Sequence, residues 1–177
     1  IDITDKALRR ILGFIRPGVM EYEIEAEITH EFLSNRASGH AYGAIIASGS
    51  NANILHYTSN NNECRDGELI LLDFGAEYAN YAADLTRMIP VNGKFTKRQR
   101  QVYEAVLRVM RAATKMLVIG NTIPKYHEEV GKIMEQELFG LGLLKADDVK
   151  KQDQKSPLYK KYFMHGTSHF LGLDVHD

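Results

Sequence analysis

Apolar residues recur at Ile11, Phe14 and Ile15 with helical spacing, and Pro17-Gly18 then interrupts the pattern. A first helix ending at that pair is predicted. Tyr22, Ile24, Ile28 and Phe32, separated mostly by charged and polar residues, predict a second amphipathic helix over residues 22–36, closed by Ser38-Gly39. Short apolar runs bounded by turn residues follow at Ala44 to Ser48 and at Leu69-Ile70-Leu71-Leu72, and Tyr81 to Pro90 comes after a bend containing Gly75. These predict two or three antiparallel strands with both helices on one side. Val102, Val106, Val109, Met110, Ala113 and Leu117 give a helix over residues 97–118 that Gly120 stops. Pro124 and Gly140 bracket another, with Val130, Ile133, Met134 and Leu138 along it. Residues 145–161 hold six lysines and three aspartates, and are expected to be a solvated connector with no buried face. Helices flanking antiparallel strands make an α+β domain, an antiparallel sheet flanked by helices.

Composition narrows the partners. A chain of 177 residues, 44% hydrophobic and 25% charged, is ordinary globular material, with one domain as the default. Its 22 Lys+Arg balance 23 Asp+Glu, so it has no field to gather nucleic acid or an anionic membrane. No apolar run approaches the roughly 20 residues needed to span a bilayer. The single cysteine, Cys64, sits in the polar loop Asn60-Asn61-Asn62-Glu63-Cys64 and cannot form an intrachain disulfide. That fits a reducing compartment, and a cytoplasmic location is expected.

Two features do not fit a purely structural chain. Asp73 ends the apolar run Leu69 to Leu72, where a carboxylate is costly unless it is paired or bound to a cation. Eleven residues on, across the bend, stands Asp84, and a hairpin of that length can bring both side chains to one face. Two convergent carboxylates favour a metal or a shared proton, and an ion pair with Arg87 is the plain structural alternative. The second feature is histidine density: His165, His169 and His176 fall within the last stretch of the chain, the first two at i and i+4, with His56 a further candidate. Carboxylate with imidazole suits Mn²⁺, Co²⁺, Fe²⁺ or Zn²⁺, and manganese is favoured where oxygen ligands dominate. No nucleophile elbow, Walker loop or dinucleotide-binding glycine motif is present.

The segments Leu72-Asp73-Phe74-Gly75-Ala76-Glu77-Tyr78, Ala83-Asp84-Leu85-Thr86-Arg87 with Pro90-Val91-Asn92-Gly93-Lys94-Phe95, and Met164-His165-Gly166-Thr167-Ser168-His169 through His176-Asp177 together resemble the Xaa-Pro aminopeptidase (aminopeptidase P) family. Arg16-Pro17-Gly18, Glu21-Tyr22-Glu23 and Ser48-Gly49-Ser50-Asn51-Ala52 agree, so the resemblance covers nearly the whole chain. It implies a pita-bread catalytic domain with two divalent metal ions, hydrolysing the bond between an N-terminal residue and a following proline. By the same resemblance Asp73, Asp84 and His169 are metal ligands, while His56, His165 and His176 contact the substrate or assist proton transfer. Two cations about 3.5–4 Å apart can activate a water and polarise the scissile carbonyl.

The family's two further glutamate ligands and its N-terminal domain have no counterpart in these residues, so residues 1–177 are expected to be part of a catalytic domain truncated at its C-terminal side. Taken alone they should be apo or singly occupied, with negligible hydrolysis. Exposed sheet edges should favour a homo-oligomer. The expected partner is a peptide with proline in second position. Prolidase shares the ligand set and is the runner-up. Methionine aminopeptidase shares it too, but the Gly172-Leu173-Asp174-Val175-His176-Asp177 ending resembles the proline-specific branch. A non-catalytic peptide-binding module on the same fold is the reading from another class.

Overall fold

A computed structural model describes residues 1–153 and 156–177. The chain resolves into two compact units, one comprising Ile1–Phe95 with Phe170–Asp177 and the other Thr96–His169.

In the first unit α1 (Asp2–Phe14) buries Thr4, Ala7 and Ile11, and α2 (Glu21–Ser34) buries Glu21, Ile24, Ile28 and Phe32. These positions trace one stripe on each helix, which is why the helices pack on each other and on a sheet. The sheet has the order β2 (Ile45–Ser48), β3 (Leu69–Phe74), β6 (Leu85–Pro90), all antiparallel. Along β3 the burial alternates: Ile70, Leu72 and Phe74 enter the helix-covered core with Ile46, Val91 and Phe32. Each such side chain contributes roughly 1.5–3 kcal/mol by leaving water. Leu69, Leu71 and Asp73 take the opposite face. Asp73 therefore does not end a doubly buried run; it lies inside an alternating strand, on the face away from the helices.

A second sheet orders β1 (Gly39–His40), β4 (Ala76–Tyr78) and β5 (Tyr81–Ala82), again antiparallel. The observed strands thus exceed the two or three expected, and the segment Tyr81 to Pro90 is broken at Ala83-Asp84 rather than continuous. Strands of two or three residues are too short to show a period of two. The break coincides with Gly75, between β3 and β4. A Cβ at that position would collide with the carbonyl oxygen of Ala83, so only glycine lets the chain pass from one sheet into the other. Ala83 N–H donates to the Ala76 carbonyl at 2.9 Å, and Ala76 N–H donates to Thr4 Oγ1 at 3.0 Å, tying the crossing to α1.

Cys64 is another departure from the sequence reading: despite its polar neighbours it is fully buried in the helix-sheet core. Its N–H donates to the Val19 carbonyl at 2.8 Å and its carbonyl accepts from Gly18 N–H at 2.9 Å.

The second unit is built on α3 (Lys97–Met116) and α4 (Ile123–Gly140). Thr96 and Gln99 form a reciprocal cap at the start of α3, and a proline in the first turn opens α4. Val109 and Ala113 pack on Tyr126 and Val130. The expectation of a featureless connector over residues 145–161 is corrected. It contains α5 (Ala146–Lys150) and a short 3₁₀ helix, Leu158–Lys161, whose Tyr159 is buried against Gly131 of α4. One aromatic residue supplies the buried face that the lysine count concealed; residues 154 and 155 of that segment lie outside the described residues. Among the described residues no helix is long and apolar enough to cross a membrane.

Candidate metal centre

Asp73 is flanked across the sheet by Ile45 of β2 and Thr86 of β6. Asp84 stands just before β6, where the chain has made its crossing at Gly75. The two carboxylates meet at a third group, Tyr42, which follows β1. Its hydroxyl donates to Asp73 Oδ1 at 2.6 Å and reaches Asp84 Oδ1 at 3.0 Å. One hydroxyl has one proton, so a single donor serves two like-charged acceptors.

These three residues line a cleft of about 350 Å³ with Gly43, Ile45, His56, Thr58, Val175 and His176. None of the described lining residues is a lysine or arginine. Burial pushes the Asp73 carboxyl above its ordinary value; the hydrogen bond from Tyr42 opposes this, the Asp84 charge adds to it, and Thr86 and His56 pull it back. The Tyr42 phenol is raised by burial and then by its two carboxylate neighbours, which keeps it a neutral donor. Arg87, the ionic alternative weighed for these carboxylates, directs Nη1 to the Thr86 carbonyl at 2.7 Å.

His56 is exposed and enters the cleft from the loop after a 3₁₀ turn, Gly49–Asn53, with φ of 52°, a left-handed backbone that favours glycine. His176 belongs to the Phe170–Asp177 segment, which is fastened to β5 by Ala82 N–H donating to the Gly172 carbonyl at 2.9 Å. His165 and His169 lie in the second unit. No helix runs through residues 163–171, so the i and i+4 spacing of these two histidines does not make them neighbours on a helical face. Thr167 between them pairs through Oγ1 with His127 Nδ1 of α4 at 2.8 Å.

The donor set fits a hard cation. Two carboxylate oxygens converge in a cleft that no lysine or arginine among the described residues lines, with imidazoles close by. The set is open, since among the described residues no three His, Cys, Asp or Glu side chains form a metal-holding group. Tyr42 is the member that sequence reasoning missed. Its only signal is an aromatic residue placed one position before Gly43, next to an apolar run.

The Xaa-Pro aminopeptidase of Haemophilus influenzae is 49% identical over 162 residues, covering 92% of this chain and 37% of that protein. That of Escherichia coli is 46% identical over 176 residues, covering 99% and 40%. Among solved structures, a glutamate-to-alanine variant of Escherichia coli aminopeptidase P in complex with substrate superposes with a TM-score of 0.91 at 45% identity, covering 99% of this chain and 40% of that one. The chain therefore spans about two fifths of the length of these relatives. Its residues 1–177 match metallopeptidase family M24 from end to end, and the chain belongs to that family.

Proposed function

We propose that the whole protein is a metal-dependent Xaa-Pro aminopeptidase that releases an N-terminal residue from peptides with proline in second position. The observation that carries this reading is the meeting of Asp73 and Asp84 on Tyr42, in a cleft that His56 and His176 also line. The likeness to Xaa-Pro aminopeptidases at 46–49% identity supports the peptidase chemistry.

In this reading Asp73, Asp84 and His169 hold divalent cations, manganese first among them. When bound, such ions supply Lewis-acid polarisation of a carbonyl and a nucleophile at neutral pH. The side chains of the chain itself do the rest. Asp73 is held in place by Tyr42 and Thr86, so its ligating oxygens are oriented before any ligand arrives. His56 and His176, exposed at the cleft, can donate to the carbonyl oxygen as negative charge develops on it, or carry a proton to the departing amine; His165 is proposed for the same duty. Residues 1–177 alone are proposed to be inactive, and the working protein to be a cytoplasmic homo-oligomer.

The test is hydrolysis of an Xaa-Pro-Xaa tripeptide and an Xaa-Pro dipeptide by the whole protein, with Mn²⁺ and with a chelator. Chelator-sensitive cleavage of the tripeptide is expected. Cleavage of the dipeptide alone would move the reading to prolidase, and cleavage of neither would leave a binding module.

A further inference from the structure

Glu21, the first residue of α2, is fully buried, yet no step of the proposed chemistry uses it. Its Oε1 accepts from Ser48 N–H at 2.7 Å, Ser48 Oγ at 2.7 Å and Asn51 Nδ2 at 3.2 Å. Its Oε2 accepts from the Tyr57 hydroxyl at 2.7 Å and Asn62 N–H at 3.0 Å. The residue's own N–H donates to the Asn62 carbonyl at 2.9 Å. A buried carboxylate is retained only when donors surround it, and here the donors are specific: all of them come from residues 48–62.

That segment is the loop that carries His56. The bonds to Glu21 fall on both sides of it, at Ser48 and Asn51 before and at Tyr57 and Asn62 after. Tyr57, the residue adjacent to His56, is itself buried, and its hydroxyl also accepts from Asn51 Nδ2 at 3.0 Å. With Tyr57 drawn inward to the carboxylate, His56 is turned outward to the cleft, in the left-handed backbone conformation noted above. A non-glycine residue keeps such a conformation only where its surroundings over-determine it.

We infer that Glu21 is a positioning residue for His56, its carboxylate fastening the two arms of the 48–62 loop so that the imidazole is presented to the Asp73–Asp84 cleft. The inference rests on the peptidase reading for its catalytic meaning, but its structural content stands apart from it.

The experiment is a double-mutant cycle in the whole protein, read by tripeptide hydrolysis with Mn²⁺ and, on the metal-free protein so that the paramagnetic ion does not broaden the signals, by ¹³C-histidine ring resonances. Tyr57→Phe deletes one donor while keeping the ring, and should lower kcat by roughly 10-fold, a cost typical of small misplacement of a reacting group, with KM changed far less. In a His56→Ala background the same substitution should change kcat by less than about twofold, since the group it positions is already gone. Glu21→Gln, which sets an amide nitrogen against donors, should behave likewise and more strongly. The His56 ring resonance should move in both variants, while Ile28→Val, a core change on α2 away from the loop, should leave it in place. An equal kcat loss with and without the His56 imidazole would overturn the inference, as would an unmoved His56 resonance in Tyr57→Phe and Glu21→Gln. If the wild-type protein cleaves neither peptide, the peptidase reading falls, and the resonance alone decides the positioning role.

Discussion

A single proton, on the Tyr42 hydroxyl, holds the two carboxylates of the cleft together. Replacing it by Tyr42→Phe keeps the ring but leaves Asp73 without its 2.6 Å donor and removes a partner that Asp73 and Asp84 share. A hydrogen bond to a charged acceptor is worth about 1.5–3 kcal/mol. Asp73 keeps its bond with Thr86, so the loss should fall near the middle of that range, about 2 kcal/mol. Over about 150–250 residues that would be a fall in Tm of about 4–8 °C, and for a chain about two and a half times as long, as the relatives are, about 2–3 °C. The decisive comparison is between chelator and saturating Mn²⁺. A cation between the carboxylates replaces the missing positive partner, so the Tm difference between wild type and Tyr42→Phe should be large in chelator and shrink to less than half with the metal. Thermal unfolding of the whole protein under both conditions measures it. An equal deficit in both, or no deficit in chelator, would refute the reasoning, since either result would mean that Tyr42 does not offset the repulsion that a cation relieves.

Gly75→Ala should destabilise by about 1–3 kcal/mol, because its Cβ meets the Ala83 carbonyl, and it should weaken Mn²⁺ binding more than that stability loss explains, since Asp84 follows directly; denaturant titration and metal titration together check this. Burial alone would raise the Glu21 carboxyl, but hydrogen bonds from Ser48, Asn62 and Tyr57 overcome it and hold it below its ordinary value. A depressed folded-state value means stability that is present above about pH 4.3 and lost as pH falls through the folded value, so Glu21→Gln should flatten the acid limb of a stability-against-pH curve as well as lower its plateau. Cys64, whose thiol burial pushes up to about 11, should resist a thiol reagent at pH 8 and titrate fully only on unfolding; fast labelling of the native protein would contradict its place in the core.

The long helices were legible because each carries one apolar stripe over several turns. α3 and α4 start at or within a residue of their predicted positions, with α3 ending a little early at Met116. What escaped was written in signals too short or too local to show a period. β1 and β5 are two residues each and β4 is three, and their pairing depends on Gly75 tolerating the Ala83 carbonyl, a contact between residues with no common pattern. Tyr159 of the lysine-rich segment finds its place only because Gly131, elsewhere in the chain, has no side chain.

The same division governs the site. Asp73 and Asp84 could be picked out because carboxylates beside apolar strands are anomalous residues, and anomaly is visible one residue at a time. Tyr42 and Glu21 are not anomalous in sequence: a tyrosine just before the glycine that leads into an apolar run, and a glutamate in the first turn of a helix, where negative charge ordinarily faces water and the helix dipole. Glu21 departs from that habit only in three dimensions, turning inward to gather donors from a loop that begins 27 positions later. Residues that perform chemistry are thus chosen by type, and type can be read from sequence. Residues that hold them in place are chosen by what they bond to, so both Tyr42, which serves the aspartates, and Glu21, which serves the His56 loop, emerge only when distances are available.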